Sequence, residues 1–186
     1  EMSADLLAYL TPAPAHSVWG AWTAARYNRY YNHIRGPERH FPTYLGWSVL
    51  LLAAAGLALR WRRCLPWTAA AGALLALGLG PVLHIDGVTF AAVPTPYRLL
   101  MPLQFVRLMR LPERLANFAG LPMAVCAAFG LHALMALWRR RAPRLVTALP
   151  LMRIRWTTAV PALLAGCLIA LDFVAIPIPL FEWPVR

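Results

Sequence analysis

The sequence predicts an all-α, polytopic membrane protein with about four transmembrane helices, flanked by interfacial helices on the outer side. Of its 186 residues, 60% are hydrophobic and only 13% are charged, and the mean hydropathy is +0.56. Soluble domains carry about 25% charged residues. Long apolar runs alternate with arginine clusters and with polar, aromatic segments. The chain is therefore predicted to use lipid as part of its solvent.

The N-terminal segment, residues 1–43, is polar, aromatic and interrupted by prolines. Residues 17–34 could form a helix that lies flat on the membrane, because tryptophan and tyrosine are enriched at membrane–water interfaces. The residues concerned are Trp19, Trp22, Tyr27, Tyr30 and Tyr31. An aromatic loop that packs on other protein explains the same composition, and the sequence leaves both interpretations open.

Residues 44–83 are predicted to form the first transmembrane hairpin. Its first span, residues 44–59, is closed by Arg60, Arg62 and Arg63 and is shorter than the roughly 20 residues that a bilayer core requires. Its second span, residues 65–83, is rich in alanine, leucine and glycine. Pro66 falls in the first turn of that span, where proline is tolerated.

Residues 84–113 are predicted to form a second outer segment. It contains Asp86-Gly87, a turn signal, and then an apolar stretch, residues 97–110, that is too short and too charged to cross a bilayer. We predict an interfacial or re-entrant helix there. Four arginines could bind lipid headgroup phosphate through bidentate hydrogen bonds, or could simply snorkel to the interface. They are Arg98, Arg107, Arg110 and Arg114.

Residues 114–178 are predicted to form the second transmembrane hairpin, followed by an outer tail, residues 179–186. Its spans, residues 115–138 and 157–178, flank a basic loop. Because lipid removes the hydrophobic drive between helices, small residues at four-residue spacing are predicted to pack these spans together or against a partner. The small residues are Ala116, Gly120, Ala124 and Ala128 in one span, and Ala162, Gly166 and Ala170 in the other.

Asp172 is the acidic residue that falls well inside a predicted span. A carboxylate within the membrane is costly and needs a partner. Arg114 and Asn117 lie at a similar predicted depth, so we expect one of them to clamp Asp172. A proton relay would need further acidic or histidine residues along a path, and His132, the one histidine inside a predicted span, does not make such a path.

The arginine distribution predicts the orientation. Residues 60–64 and 139–156 hold nine of the 18 arginines and no acidic residue, whereas the opposite side holds every acidic residue except Asp172. Basic residues concentrate in short cytoplasmic loops, so both termini are predicted to be non-cytoplasmic in a bacterial inner membrane. The chain opens without the features of a signal peptide, so we expect that residue 1 is not the start of the gene product.

The residues that could carry chemistry show no recognised pattern. The three cysteines do not form a C-x-x-C pair, and the five histidines do not show metal-ligand spacing. The net charge of +11 is explained by membrane orientation and lipid headgroups, so no nucleic-acid partner is predicted. We therefore predict no catalytic residue, no metal site and no cofactor.

Several stretches resemble the C-terminal membrane half of bacterial polytopic proteins related to the C-type, lipid-linked-sugar glycosyltransferases. The stretches are residues 3–14 (SADLLAYLTPAP), 44–47 (YLGW), 77–84 (LGLGPVLH), 96–100 (PYRLL) and 110–114 (RLPER). The resemblance covers most of residues 1–138. In that family the catalytic acidic residues lie in the first outer loop of a chain with many more spans, so the resemblance implies a lipid-facing scaffold and no catalytic residue here.

Two functions follow as hypotheses. The first is a non-catalytic membrane subunit or fragment that packs with lipids and other subunits in a larger complex, for example an energy-transducing electron-transfer complex. The alternative is the C-terminal part of a glycosyltransferase-like enzyme, with the segment from Arg98 to Arg114 facing a lipid-linked sugar. A transporter is disfavoured because the chain lacks a charged pathway and repeat symmetry.

Overall fold

The structure, a computed structural model, describes residues 3–30, 43–107, 112–141 and 150–174. These residues are mostly helical, which confirms the predicted class. After a short 3-10 helix, Leu6–Tyr9, the elements are α1 (Gly20–Tyr30), α2 (Trp47–Gly78), β1 (Leu83–Ile85), β2 (Val88–Phe90), α3 (Pro96–Leu100), α4 (Gln104–Arg107), α5 (Glu113–Phe118), α6 (Gly120–Arg141) and α7 (Pro150–Phe173).

Helix α2 is a hairpin rather than one straight rod. The backbone at Arg60 is non-helical, with φ −138° and ψ 38°. The Tyr9 carbonyl accepts a hydrogen bond from the Leu45 amide at 3.1 Å, and the Tyr9 hydroxyl donates to the Leu75 carbonyl at 2.9 Å. A straight helix of this length would extend about 48 Å, so one tyrosine could not reach both of its ends. The two halves therefore fold back on each other at Arg60.

The fold-back gives the molecule two distinct ends. We call the end at Arg60 the closed end. The opposite end, where α2 begins at Trp47 and ends at Gly78, is called the open end. Helix α6 packs along both halves of α2, and Ala53, Cys64, Cys126 and Ala127 form a buried cluster between them. A second cluster, which includes Ala4, Tyr9, Leu45 and Ala116, closes the open end.

The α2–α6 crossing depends on two glycines. A β-carbon at Gly56 would overlap the Cys126 carbonyl oxygen, and one at Gly130 would overlap the Leu52 carbonyl oxygen. The two backbones are therefore in direct contact, as in close helix packing within membranes.

Gly130→Ala is expected to push these helices apart and to lower the free energy of unfolding by about 2 kcal/mol. Thermal unfolding in detergent would measure the loss. Gly72→Ala is the matched control, because no atom lies within 4 Å of a β-carbon at Gly72 and alanine is the better helix former. Equal stability of the two variants would contradict the packing argument.

The predicted small-residue stripes do not mediate the packing of α6 and α7 on each other. Gly120, Ala124 and Ala128 of α6 are exposed, and only Ala116 of that stripe is buried. The stripe on α7 is exposed throughout; its members are Ala162, Gly166 and Ala170. Helix α6 instead buries a neighbouring face, whose members are Pro122, Cys126, Ala127, Gly130 and Ala133. An alanine-rich helix offers several small faces, and Gly56 on α2 determines which of them can approach. Packing of the exposed stripes on a partner stays a prediction.

Helix α7 lies at the periphery. Among its described side chains, Ala165 and Asp172 are the buried ones. Four leucines are exposed along it: Leu163, Leu164, Leu168 and Leu171. Helix α7 therefore carries an apolar surface that the described part of this chain does not cover.

One helical stretch among the described residues, Glu113–Arg140, is long and apolar enough to cross a membrane, and Ala159–Phe173 is a shorter apolar helix. The halves of α2 do not qualify by length and composition, because α2 is broken at Arg60 and its second half opens with Arg62 and Arg63. Four spans therefore stay a prediction.

A small antiparallel hairpin covers part of the open end. Strands β1 and β2 pair Leu83 with Phe90, and Asp86 and Gly87 join them with φ angles of 52° and 76°. Positive φ at both central residues is typical of the tight turns that connect hairpins. The turn prediction at Asp86-Gly87 is confirmed, whereas the two short strands were not predicted.

Candidate functional site

Three acidic side chains are buried at the open end: Asp5, Glu113 and Asp172 are 0%, 2% and 7% exposed. Burying a carboxylate is costly unless hydrogen bonds compensate it. The partners of each carboxylate therefore show whether its role is structural or whether it is free to bind or react.

Asp172 caps the beginning of α2. Its Oδ2 accepts a hydrogen bond from the Ser48 amide at 2.6 Å, and its Oδ1 accepts one from the Tyr44 hydroxyl at 3.3 Å. Gly46, the N-cap residue of α2, has no side chain with which to cap the helix. Asp172 supplies the missing acceptor from the far end of the chain, and the positive end of the helix dipole favours its charge.

The predicted clamp of Asp172 by Arg114 or Asn117 stays a prediction. The hydrogen bonds described above join the Asp172 carboxylate to Ser48 and Tyr44 at the beginning of α2. Arg114 and Asn117 are exposed on α5.

His16 fastens the same end of α7. Its Nδ1 accepts the amide hydrogens of Val18 and Trp19 at 3.1 and 3.2 Å, and its Nε2 lies 3.0 Å from the Asp172 carbonyl oxygen. Since a carbonyl only accepts, Nε2 carries the proton and Nδ1 carries none. We call His16, Tyr44, Ser48 and Asp172 the latch; the Ser17 amide reinforces it with a 3.0 Å bond to the Val174 carbonyl.

Asp5 has an equally complete set of partners. Its carboxylate accepts backbone hydrogen bonds from Leu7 at 2.9 Å, Asp86 at 3.2 Å and Gly87 at 2.8 Å. It thereby joins the 3-10 helix to the β-hairpin turn. Asp86 in turn forms a 3.3 Å ion pair with Arg29 of α1. The arrangement explains Asp5 as a structural residue.

Glu113 differs from the other two. Its Oε2 is buried and lacks a hydrogen-bond partner. Burial raises the pKa of this carboxyl from its ordinary 4.5 to about 7, although the neighbouring Arg114 opposes the rise. Glu113 is not among the residues that the sequence pattern singles out.

The predicted headgroup-binding arginines are only partly described. Arg98 is exposed and donates to the Ala91 carbonyl at 3.3 Å, and Arg114 is exposed on α5. Arg107 ends α4, but its side chain, like the whole of Arg110, lies outside the described residues. The predicted single helix over residues 97–110 begins as two short helices, α3 and α4. Convergence of these arginines on one headgroup stays a prediction.

The aromatic residues of α1 divide between two environments. Tyr27 and Tyr30 are buried and pack with Ala8 of the 3-10 helix. Trp19 and Trp22 are exposed, and Trp19 lies 5.5 Å from the Trp47 ring, measured between ring centroids. The tyrosines thus behave as packing residues, while the exposed tryptophans agree with the residue types found at a membrane interface.

Metal and thiol chemistry gain no support from the described ranges. Within them, no three His, Cys, Asp or Glu side chains cluster in a way that could hold a metal ion. The three cysteines are free thiols; Cys64 and Cys126 are buried and Cys167 is exposed. His84 Nδ1 lies 3.2 Å from the Thr89 hydroxyl.

Comparison with known proteins gave no matching family, no similar curated protein and no similar solved structure. The resemblance to lipid-linked-sugar glycosyltransferases therefore stays a prediction. Two of the three buried carboxylates, Asp5 and Asp172, hold secondary structure elements together through hydrogen bonds. Glu113 is the one that has a carboxylate oxygen without a hydrogen-bond partner.

Proposed function

We propose that this chain is a non-catalytic integral membrane subunit or fragment that packs in a larger complex of the bacterial inner membrane. The observation that carries the proposal is the exposed leucine face of α7. Asp172, the buried polar residue of the same helix, is already hydrogen-bonded within the latch. An apolar face of this kind needs lipid or a partner helix to cover it.

We further propose that the two halves of α2, together with α6 and α7, form four spans. Helix α6 has 22 residues and so extends about 33 Å, enough for a hydrocarbon core about 30 Å thick, whereas the apolar part of α7, Ala159–Phe173, is shorter. The halves of α2 are shorter, and their side-by-side packing with α6 is what supports including them.

The distribution of charge along the bundle supports the proposed orientation. Arg60 and Arg140 line the same cavity, so the arginines around the α2 fold-back and those at the end of α6 gather at the closed end. Asp5, Glu113 and Asp172 lie at the open end. By the positive-inside rule, the closed end faces the cytoplasm and the open end faces outwards.

Reporter fusions would test the orientation. A fluorescent protein that matures only in the cytoplasm, inserted after Arg63, is expected to fluoresce, and the same insertion after Gly87 is expected to stay dark. The converse pattern, or fluorescence from both insertions, would overturn the proposed topology.

Mild-detergent purification would test the subunit assignment. We expect other membrane chains to co-purify in fixed stoichiometry, and their identity would name the host, with an energy-transducing electron-transfer complex among the candidates. A homogeneous preparation of this chain alone, from membranes solubilised under several mild conditions, would contradict the proposal.

The glycosyltransferase-like alternative rests on one observation, the buried and unpartnered oxygen of Glu113 at the open end. Sequencing the gene upstream of codon 1 separates the two functions. Several further spans and an acidic outer loop would favour the enzyme, whereas a start codon within a few dozen residues would favour the subunit.

A further inference from the structure

The closed end contains a cavity between the fold-back of α2 and the last turns of α6. Its volume is about 210 Å³. Four of its six lining residues are apolar and two are arginines: Leu59, Arg60, Ala133, Ala136, Leu137 and Arg140. The cavity thus combines an apolar wall with two guanidinium groups that come from two different helices.

Within the described part of the chain, no acidic side chain forms an ion pair with either arginine of the cavity. Among the residues that the structure describes, Arg29 and Asp86 form an ion pair, but neither Arg60 nor Arg140 does. Arg60 is half-buried, and its charge is therefore partly removed from water. Two adjacent cations without a counter-charge favour the binding of an anion between them.

The surroundings of the cavity indicate which kind of anion fits. Trp61 and Trp138, the sequence neighbours of the lining residues Arg60 and Leu137, are 55% and 59% exposed, as expected of residues at the level of lipid headgroups. The Arg62 guanidinium lies 5.4 Å from the centre of the Trp61 ring, so a basic side chain packs on an aromatic ring at the closed end. Leu59 and Leu137 are partly exposed beside the arginines, so an apolar path leads away from them.

We propose that this cavity binds the headgroup phosphate of an anionic phospholipid, with Arg60 and Arg140 donating to the phosphate oxygens and an acyl chain lying along Leu59 and Leu137. Basic pockets between transmembrane helices on the cytoplasmic side suit anionic headgroups. A free phosphate would use the two arginines but would leave the apolar wall unused. The inference rests on the proposed membrane placement and is independent of any partner subunit.

The test compares two double variants in a lipid titration followed by native mass spectrometry. Arg60→Gln with Arg140→Gln is expected to reduce phosphatidylglycerol retention by about tenfold or more, because each substitution removes a charge-assisted hydrogen bond to the phosphate. Arg63→Gln with Arg139→Gln is the matched control. It removes the same charge from the same two helices outside the cavity, and it should change retention by less than about twofold.

Three further results bear on the proposal. Phosphatidylcholine should bind equally to all three proteins, and millimolar inorganic phosphate should not displace phosphatidylglycerol. Equal losses in the two double variants would show general electrostatic attraction and would overturn the site. Displacement of phosphatidylglycerol by inorganic phosphate would show that the cavity binds a free anion and not a lipid.

Membrane insertion separates failure of this inference from failure of the proposed function. The wild type and both variants should resist extraction from membranes by alkaline carbonate and should unfold at similar temperatures in detergent. Resistance to extraction without any preference for phosphatidylglycerol would overturn the cavity alone. Extraction of the wild type by carbonate would overturn the membrane assignment itself.

Discussion

Replacing Asp172 with alanine is expected to lower the free energy of unfolding by about 3 kcal/mol. The substitution leaves the partly buried Ser48 amide and Tyr44 hydroxyl without their acceptor, and it removes the charge that caps α2. Reversible denaturation in detergent micelles would measure the loss.

Two variants isolate the contribution of the carboxylate. Asp172→Asn retains one acceptor oxygen and nearly the same shape, so we expect a smaller loss, of about 1 kcal/mol. Leu171→Ala changes the exposed neighbour on the same turn, and we expect an effect of no more than about 0.5 kcal/mol. If Asp172→Ala were as stable as Leu171→Ala, the latch would not hold α7 in place.

Replacing Glu113 with glutamine is expected to stabilise the protein above neutral pH. In the folded protein the pKa of this carboxyl is raised to about 7, so ionisation at higher pH acts against the folded state. Stability conferred by the protonated carboxyl is present below pH 4.5 and is lost as the pH rises towards 7. Glutamine resembles the protonated form at every pH. The gain should approach about 3 kcal/mol at pH 8, at about 1.4 kcal/mol per pH unit.

Unfolding curves of the wild type and Glu113→Gln at pH 5 and pH 8 would measure this effect. The two proteins should differ by less than about 1 kcal/mol at pH 5 and should diverge to the full difference at pH 8. Asp86→Asn is the matched control, because Asp86 is an exposed acid at the same open end and its ion pair with Arg29 should contribute no more than about 1 kcal/mol. If Glu113→Gln were no more stable at pH 8 than the wild type, or than the Asp86→Asn control, the burial argument would be contradicted.

The sequence was informative where local chemistry decides the structure. Three arginines after an apolar run predicted the end of the first helix, and α2 indeed folds back at Arg60. Asp86-Gly87 predicted a turn, and both residues adopt the positive φ angles that such a turn needs. In each case the determining residues are adjacent in the chain, so a short sequence pattern is enough to predict the local structure.

It was less informative where distant residues meet. Asp172 was recognised as costly, but its partner Ser48 lies 124 positions earlier, and helical periodicity says nothing about such a pairing. The face of α6 that packs on α2 was not predicted for a related reason, because Gly56 on another helix is what it contacts. Glu113 was overlooked because its burial arises from the fold around it and not from its charged sequence neighbours.

The latch also has a consequence for biogenesis. A ribosome makes Tyr44 and Ser48 long before it makes Asp172, so the beginning of α2 stays uncapped until α7 emerges. The open end is therefore completed only after α7 has been synthesised, and not by growth from the N-terminus. A chain truncated before α7 would expose the uncapped beginning of α2.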